Sequence, residues 1–347
     1  MILIDRDRVS FESLGVTEKA LELGLLKPLE NVPTKNAGDY KGVEVDVDCK
    51  ENQEALVDVC DYGIKSVAYY REQAEGNPTY GKNIKGAPDV NFVREGVAKK
   101  LSKINEILDQ LGLELVILDG HRSPVTQNIL YDSFKEKYFE KMGIGKDVIT
   151  PENKEIIMSK RSYYDGAAKK FALDFCSSAE NFDPKDPKTW TIHSTGGSID
   201  VYMLDKRSRK IVDMGEGYFD NPSDVTLTNY YEKKENKTPK EVGYMNVRRI
   251  LYNVMRSEDF VNYGNECFHY SCYDQYWACV KRDEGNKVAA LYGLIESKAK
   301  NLFREEKSNE NMSAVPETID ARYAYKASPS NELLGGIIGA LLKAKEK

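Results

Sequence analysis

The chain has 347 residues, 41% hydrophobic and 31% charged, enough for a sizeable core in one large domain with extensions or in two domains. A net charge of -6 argues against a nucleic-acid partner, which needs a basic footprint. Six cysteines (Cys49, Cys60, Cys176, Cys267, Cys272 and Cys279) form no CxxC pair, so reduced and mostly buried thiols are expected rather than a thiolate cluster. The chain opens MILIDRDRVSFESL, where Asp5 to Arg8 follow four apolar residues and break any signal-peptide core; a cytoplasmic location is expected. Residues 1–45 read as a polar, irregular extension. EALVDVCDYGI (54–64) has strand-like character. From Asn91 to Leu111, Val93, Val97, Leu101, Ile104, Leu108 and Leu111 recur at helical spacing, Gly112 stops the helix, and LELVILDG (113–120) follows as a buried strand. Helices are predicted from Pro124 to about Met142 and over 151–161. KTWTIHS and SIDVYML read as strands joined across Gly196 and Gly197. A helix over 241–257 precedes two short strands near 259–263 and 267–273, and a closing helix is predicted over 287–305. The tail 301–347 is polar with one short apolar segment, LLGGIIGALL, too short to span a bilayer. It is expected to dock on the domain; pairing in a homo-oligomer or contact with a membrane surface are the alternatives. Mixed strands and helices without a βαβ repeat give an α+β class, with the central domain over 46–300.

Three segments carry chemistry. In TIHSTGGSID (191–200), His193 and Asp200 are seven apart and would face opposite sides of a regular strand. The glycine pair permits a bend that lets imidazole and carboxylate converge. A buried carboxylate needs a cation or strong donors, and zinc is one such partner. ECFH (266–269) adds Glu266, at the start of a strand after the Gly264–Asn265 turn, and His269, one of only three histidines. Three protein ligands with one open position make a catalytic zinc site, and a carboxylate beside that position can take a proton from water. ILDGHRSP (117–124) delivers Arg122 at a strand end, suited to stabilising an oxyanion. The bland alternatives are hydrogen-bonded packing histidines and a salt bridge from Arg122 to Asp119 or another carboxylate.

DGHRSP, TIHSTGGSID and ECFH, in this order, resemble the D-alanyl-D-alanine dipeptidases, the VanX-type branch of a zinc peptidase superfamily that includes D,D-carboxypeptidases and the Hedgehog signalling domain. The family pattern reads DGYRP, SxHxxGxAxD and ExWH. LVDVCDYGI, NPTYGKNIKGA, NVRRILYNVM and AALYG are also similar, and the resemblance covers about residues 50–295. It implies an antiparallel sheet with flanking helices, the Hedgehog/D,D-peptidase-like fold. It implies Zn2+ held by His193, Asp200 and His269, with Glu266 as general base and acid and Arg122 as oxyanion cation. It also implies a carboxylate for the ammonium of a small dipeptide substrate, Asp220 by position with Asp213 as the alternative, and Thr191 and Ser198 in the pocket. His121, Thr191 and Cys267–Phe268 depart from the pattern and alter the pocket wall without removing a ligand or the base. The expected activity is zinc-dependent hydrolysis of D-Ala-D-Ala or a related D-configured dipeptide. A D,D-carboxypeptidase or peptidoglycan endopeptidase is the nearest rival, and a non-catalytic zinc-stabilised binding protein is the rival of another class.

Overall fold

The protein is described by a computed structural model over residues 8–30, 32–71, 84, 87–217 and 224–295. Asp220 and residues 296–305 of the expected closing helix lie outside that range, and residues 287–295 form no helix. The helices, in chain order, are α1 (Phe11–Leu14), α2 (Thr17–Glu22), α3 (Ala37–Tyr40), α4 (Glu95–Asp109), α5 (Pro124–Lys141), α6 (Lys154–Leu173), α7 (Tyr230–Lys233), α8 (Pro239–Ser257) and α9 (Gln275–Asp283). The strands are β1 (Leu56–Asp58), β2 (Lys65–Ser66), β3 (Phe92–Arg94), β4 (Leu113–Asp119), β5 (Ser198–Asp205), β6 (Lys210–Ile211), β7 (Val261–Asn262) and β8 (His269–Ser271). No described helix is long and apolar enough to cross a membrane.

The main sheet runs β2-β4-β5-β8-β7, with β6 also on β5. It is antiparallel except at one edge, where β2 lies parallel to β4, so the sheet is mixed rather than wholly antiparallel. Strands β1 and β3 form a separate antiparallel pair. All eight residues of β5 and all but Glu114 of β4 are buried, as expected for central strands covered on both faces. Helix α4 turns Val97, Leu101, Ile104 and Leu108 into this core, packing on β4 and α8. Helix α8 starts from a Thr238–Glu241 capping box with Pro239 in the first turn, and α5 starts from Ser123, whose hydroxyl accepts the Thr126 N–H, with Pro124 in the first turn.

Residues 8–45 depart from the irregular reading. Phe11, Val16, Ala20 and Leu25 enter the main core, and Val9 bridges Val212. The helices there, cut short around Gly15 and Gly24, have only four to six residues, too short to show a period, so tertiary burial fixes them. KTWTIHS is not a strand but two short 3-10 turns, Pro187–Thr189 and Ile192–Thr195. Side-chain oxygens drive the second one: Ser194 Oγ donates to the Thr191 carbonyl at 2.5 Å and Thr195 Oγ1 to that of Ile192 at 2.7 Å.

Candidate metal centre

Strand register builds most of the site. Asp200 on β5 stands opposite Asp119 of β4 on one side and opposite His269 of β8 on the other. One row across the sheet therefore carries two carboxylates and an imidazole. His193 joins them from the turn ahead of β5. Gly196 there has φ 73°, and a side chain on Gly197 would meet the Cys272 carbonyl at 2.4 Å, so glycine is required where the turn presses against β8.

The ligand atoms of His193, Asp200 and His269 all lie within 4.8 Å of one another, and all three residues are buried. His193 Nδ1 donates to the Gly120 carbonyl at 2.9 Å, which leaves Nε2 with its lone pair, 3.7 Å from Asp200 Oδ2. Burial, with Arg122 adding, pushes the His193 pKa down to about 3 against the pull of Asp200. The ring is therefore neutral, as a metal ligand must be. His269 Nδ1 is 3.0 Å from Asp200 Oδ1 and 3.7 Å from Glu266 Oε2. Burial opposes charge on His269, but the Asp200 hydrogen bond and the neighbouring carboxylates outweigh it and shift that histidine upward. Asp200 is held below the ordinary carboxylate range: burial alone would raise it, and the two histidines and Arg122 together reverse the sign. Two nitrogens and a carboxylate at this separation suit a four-coordinate zinc with one position left over.

Glu266 sits between the Tyr263–Glu266 turn and β8, its side chain 34% exposed. Although a third of it is exposed, the surrounding protein strips enough water from its carboxyl to push it up to about 7, with Asp200 adding and His269 and Arg122 opposing. Arg122 is buried and forked. Nε donates to Asp119 Oδ2 at 3.0 Å, Nη2 makes a second bond to the same oxygen, and Nη1 donates to Gln127 Oε1 at 2.8 Å. Nη2 also donates to the Tyr70 hydroxyl at 3.3 Å and lies 3.8 Å from Asp200 Oδ2.

The structure thus brings five of the expected residues into one cluster: His193, Asp200, His269, Glu266 and Arg122. Thr191 is buried, and its hydroxyl has no partner among the described residues. Ser198 is engaged elsewhere: its hydroxyl donates to Asp274 Oδ2 at 2.6 Å and pairs with Ser271 at 3.0 Å. Asp220 is outside the described residues. Three participants were not anticipated as site residues. Asp119 lies 3.3 Å from His193 Nδ1 besides holding Arg122. Gln127 and Tyr70 complete the arginine's shell. Asp119 stood in the quoted DGHR segment, but only the β4–β5 register shows what it faces.

Residues 81–284 match the family profile Peptidase_M15, described as D-ala-D-ala dipeptidase. A curated relative, D-alanyl-D-alanine dipeptidase of Synechocystis sp. (strain ATCC 27184 / PCC 6803 / Kazusa), is 29% identical over 212 residues, covering 59% of this chain and 79% of the relative.

Proposed function

Because the chain belongs to the Peptidase_M15 D-Ala-D-Ala dipeptidase family, we propose that it is a zinc-dependent dipeptidase acting on D-Ala-D-Ala or a related D-configured dipeptide. The observation that carries this reading is the convergence of two buried imidazoles and a buried carboxylate within 4.8 Å, beside a partly exposed carboxylate. Zinc held by His193, Asp200 and His269 would supply a Lewis acid for the peptide carbonyl and make a water more acidic. The chain's own groups do the rest. Glu266 accepts a proton from the attacking water as its oxygen bonds to the carbonyl carbon. The same carboxyl then gives that proton to the amine as the C–N bond breaks. Arg122, locked by Asp119, Gln127 and Tyr70, adds fixed positive charge where negative charge develops on the carbonyl oxygen. In this reading Asp220 pairs with the substrate ammonium, and Thr191, whose buried hydroxyl has no partner among the described residues, is the second polar group assigned to the pocket. Ser198, bonded to Asp274 and Ser271, shapes the wall instead of contacting substrate.

The test is to strip the protein with a chelator, add back one equivalent of zinc, and assay LL-, LD-, DL- and DD-dialanine. Zinc-dependent release of alanine from the DD isomer is expected. A zinc-loaded protein that cleaves none of the four would end the reading.

A further inference from the structure

Arg94 ends β3 directly ahead of α4, in no motif of its own, and is 2% exposed. Its guanidinium donates every N–H to a neutral oxygen. Nε goes to the Thr195 carbonyl at 2.9 Å. Nη1 goes to the carbonyls of Asn52 at 2.7 Å and Glu54 at 2.8 Å. Nη2 goes to the Gly293 carbonyl at 3.0 Å and to Asn52 Oδ1 at 3.2 Å. Among the described residues no carboxylate forms an ion pair with it. The Tyr292 ring lies 5.2 Å beneath the guanidinium, and the Tyr292 hydroxyl donates to Glu54 Oε2 at 2.7 Å. A cation buried without a direct counter-ion is costly, and an aliphatic side chain would fill the volume without that cost. What the arginine adds is geometry.

Two of its bonds fall on one short turn. The Arg94 backbone N–H donates to the Gly196 carbonyl at 3.0 Å, while Nε takes the Thr195 carbonyl next to it. That turn closes the Ile192–Thr195 segment, which carries His193. The other face of the turn is pressed against β8 through Gly197 and the Cys272 carbonyl. The remaining guanidinium bonds tie the grip to residues 52–54 and to Gly293, the end of the AALYG stretch, which the metal chemistry does not otherwise use.

We propose that Arg94 is a positioning residue for the metal centre, its fork of donors setting the Thr195–Gly196 turn and thereby the place of His193 relative to Asp200 and His269. The proposal rests on the metal-site reading given above. Lysine keeps the charge but offers its donors from a single point, so it cannot span carbonyls of three separate segments.

The test measures Co2+ and Zn2+ affinity of the metal-free, full-length protein by competition with a chelating dye, together with the visible spectrum of the Co2+ form. Arg248→Lys is the comparator. Arg248 is equally buried and also binds only carbonyls, those of Met214, Val225 and Leu227, none of them on the His193 turn. Arg94→Lys should weaken metal binding roughly 10- to 100-fold and alter the Co2+ spectrum, while Arg248→Lys stays within about twofold of the parent. If Arg94→Lys lacks a cooperative melting transition, Asn52→Ala, which removes one guanidinium acceptor, should still weaken binding about threefold or more. Parental affinity and spectrum in a folded Arg94→Lys, or an equal loss in both arginine variants, overturns the proposal. A parent protein that binds no metal at all would instead remove the reading beneath it.

Discussion

Asp119 and Asp200 stand directly opposite each other on β4 and β5, two buried carboxylates in one cross-strand pair. Like charges in that arrangement repel, and burial removes the water that would screen them. Burial, with Asp200 adding, holds the Asp119 acid up at about 6 even though Arg122 opposes the shift. Arg122 is what makes the pair tolerable, bonded to Asp119 and 3.8 Å from Asp200. The pair is a standing demand for positive charge, met on one side by the guanidinium and on the other by the cation that His193 and His269 would share.

Arg122→Met follows from this. The metal-free variant should lose about 3–5 kcal/mol of unfolding free energy in urea, because it strands buried carboxylates without a cation. Adding Asp119→Asn in the same chain should recover part of the loss. Turnover of the zinc-loaded variant should fall on the order of 10²- to 10³-fold. An unchanged urea midpoint would show that the arginine does not offset the pair.

Glu266→Gln keeps the size of the side chain but cannot accept a proton. Zinc content should be unchanged and kcat lower by about 10²-fold or more. The pH profile has a defined sign: the base works ionised, so kcat/KM is lost as pH falls through the Glu266 pKa. Burial holds that pKa at about 7 from an ordinary 4.5, and a nearby bound cation draws it back down, so the acid limb should lie between those two values. Near-parental turnover in zinc-replete Glu266→Gln would remove Glu266 from the role of base.

Gly120→Ala tests how His193 is held. A side chain at Gly120 would sit 2.5 Å from the Phe92 carbonyl, which also accepts the His121 N–H at 2.7 Å. The backbone must move, and with it the Gly120 carbonyl that orients His193. A loss of about 1–3 kcal/mol in stability is expected, with metal affinity about tenfold weaker. Gly166→Ala, in the middle of α6 with no atom in the way, should instead stabilise by roughly 0.5–1 kcal/mol. Equal effects of the two substitutions would contradict this account.

The candidate triad of His193, Asp200 and His269 was legible because the chain holds so few histidines and sets two of them among carboxylates and glycines. The α4 stripe and β4 were readable because their periods are unbroken over several turns or residues. What the sequence hid depends on tertiary placement. Helix α9 was missed because Tyr276, Trp277 and Cys279 continue the aromatic and cysteine run of β8, and its start shows only as Asp274 accepting the Trp277 N–H. The His193 segment read as a strand because its Thr and Ile residues favour one, whereas Ser194 and Thr195 bond back to the chain and tighten it into a turn. Asp119 was visible only as a salt-bridge partner, since facing Asp200 is a matter of register. Arg94 carries no local signal whatever; its five acceptors come from three distant segments.

The last prediction concerns what the substrate must carry. If Asp220 meets a free ammonium, the enzyme should hydrolyse D-Ala-D-Ala and reject N-acetyl-D-Ala-D-Ala. Acylation removes the charge and leaves the carboxylate desolvated without a partner, which costs several kcal/mol and so at least about a hundredfold in kcat/KM. Asp220→Asn should narrow the gap, losing activity on the free dipeptide while leaving that on the acylated one low. A D,D-carboxypeptidase would show the opposite preference, because its substrates are acylated at that nitrogen. Measuring kcat/KM for the two peptides with parent and variant therefore separates the two activities. Equal cleavage of both by the parent would refute the dipeptidase assignment and the role of Asp220, while leaving the proposed metal centre of His193, Asp200 and His269 untouched.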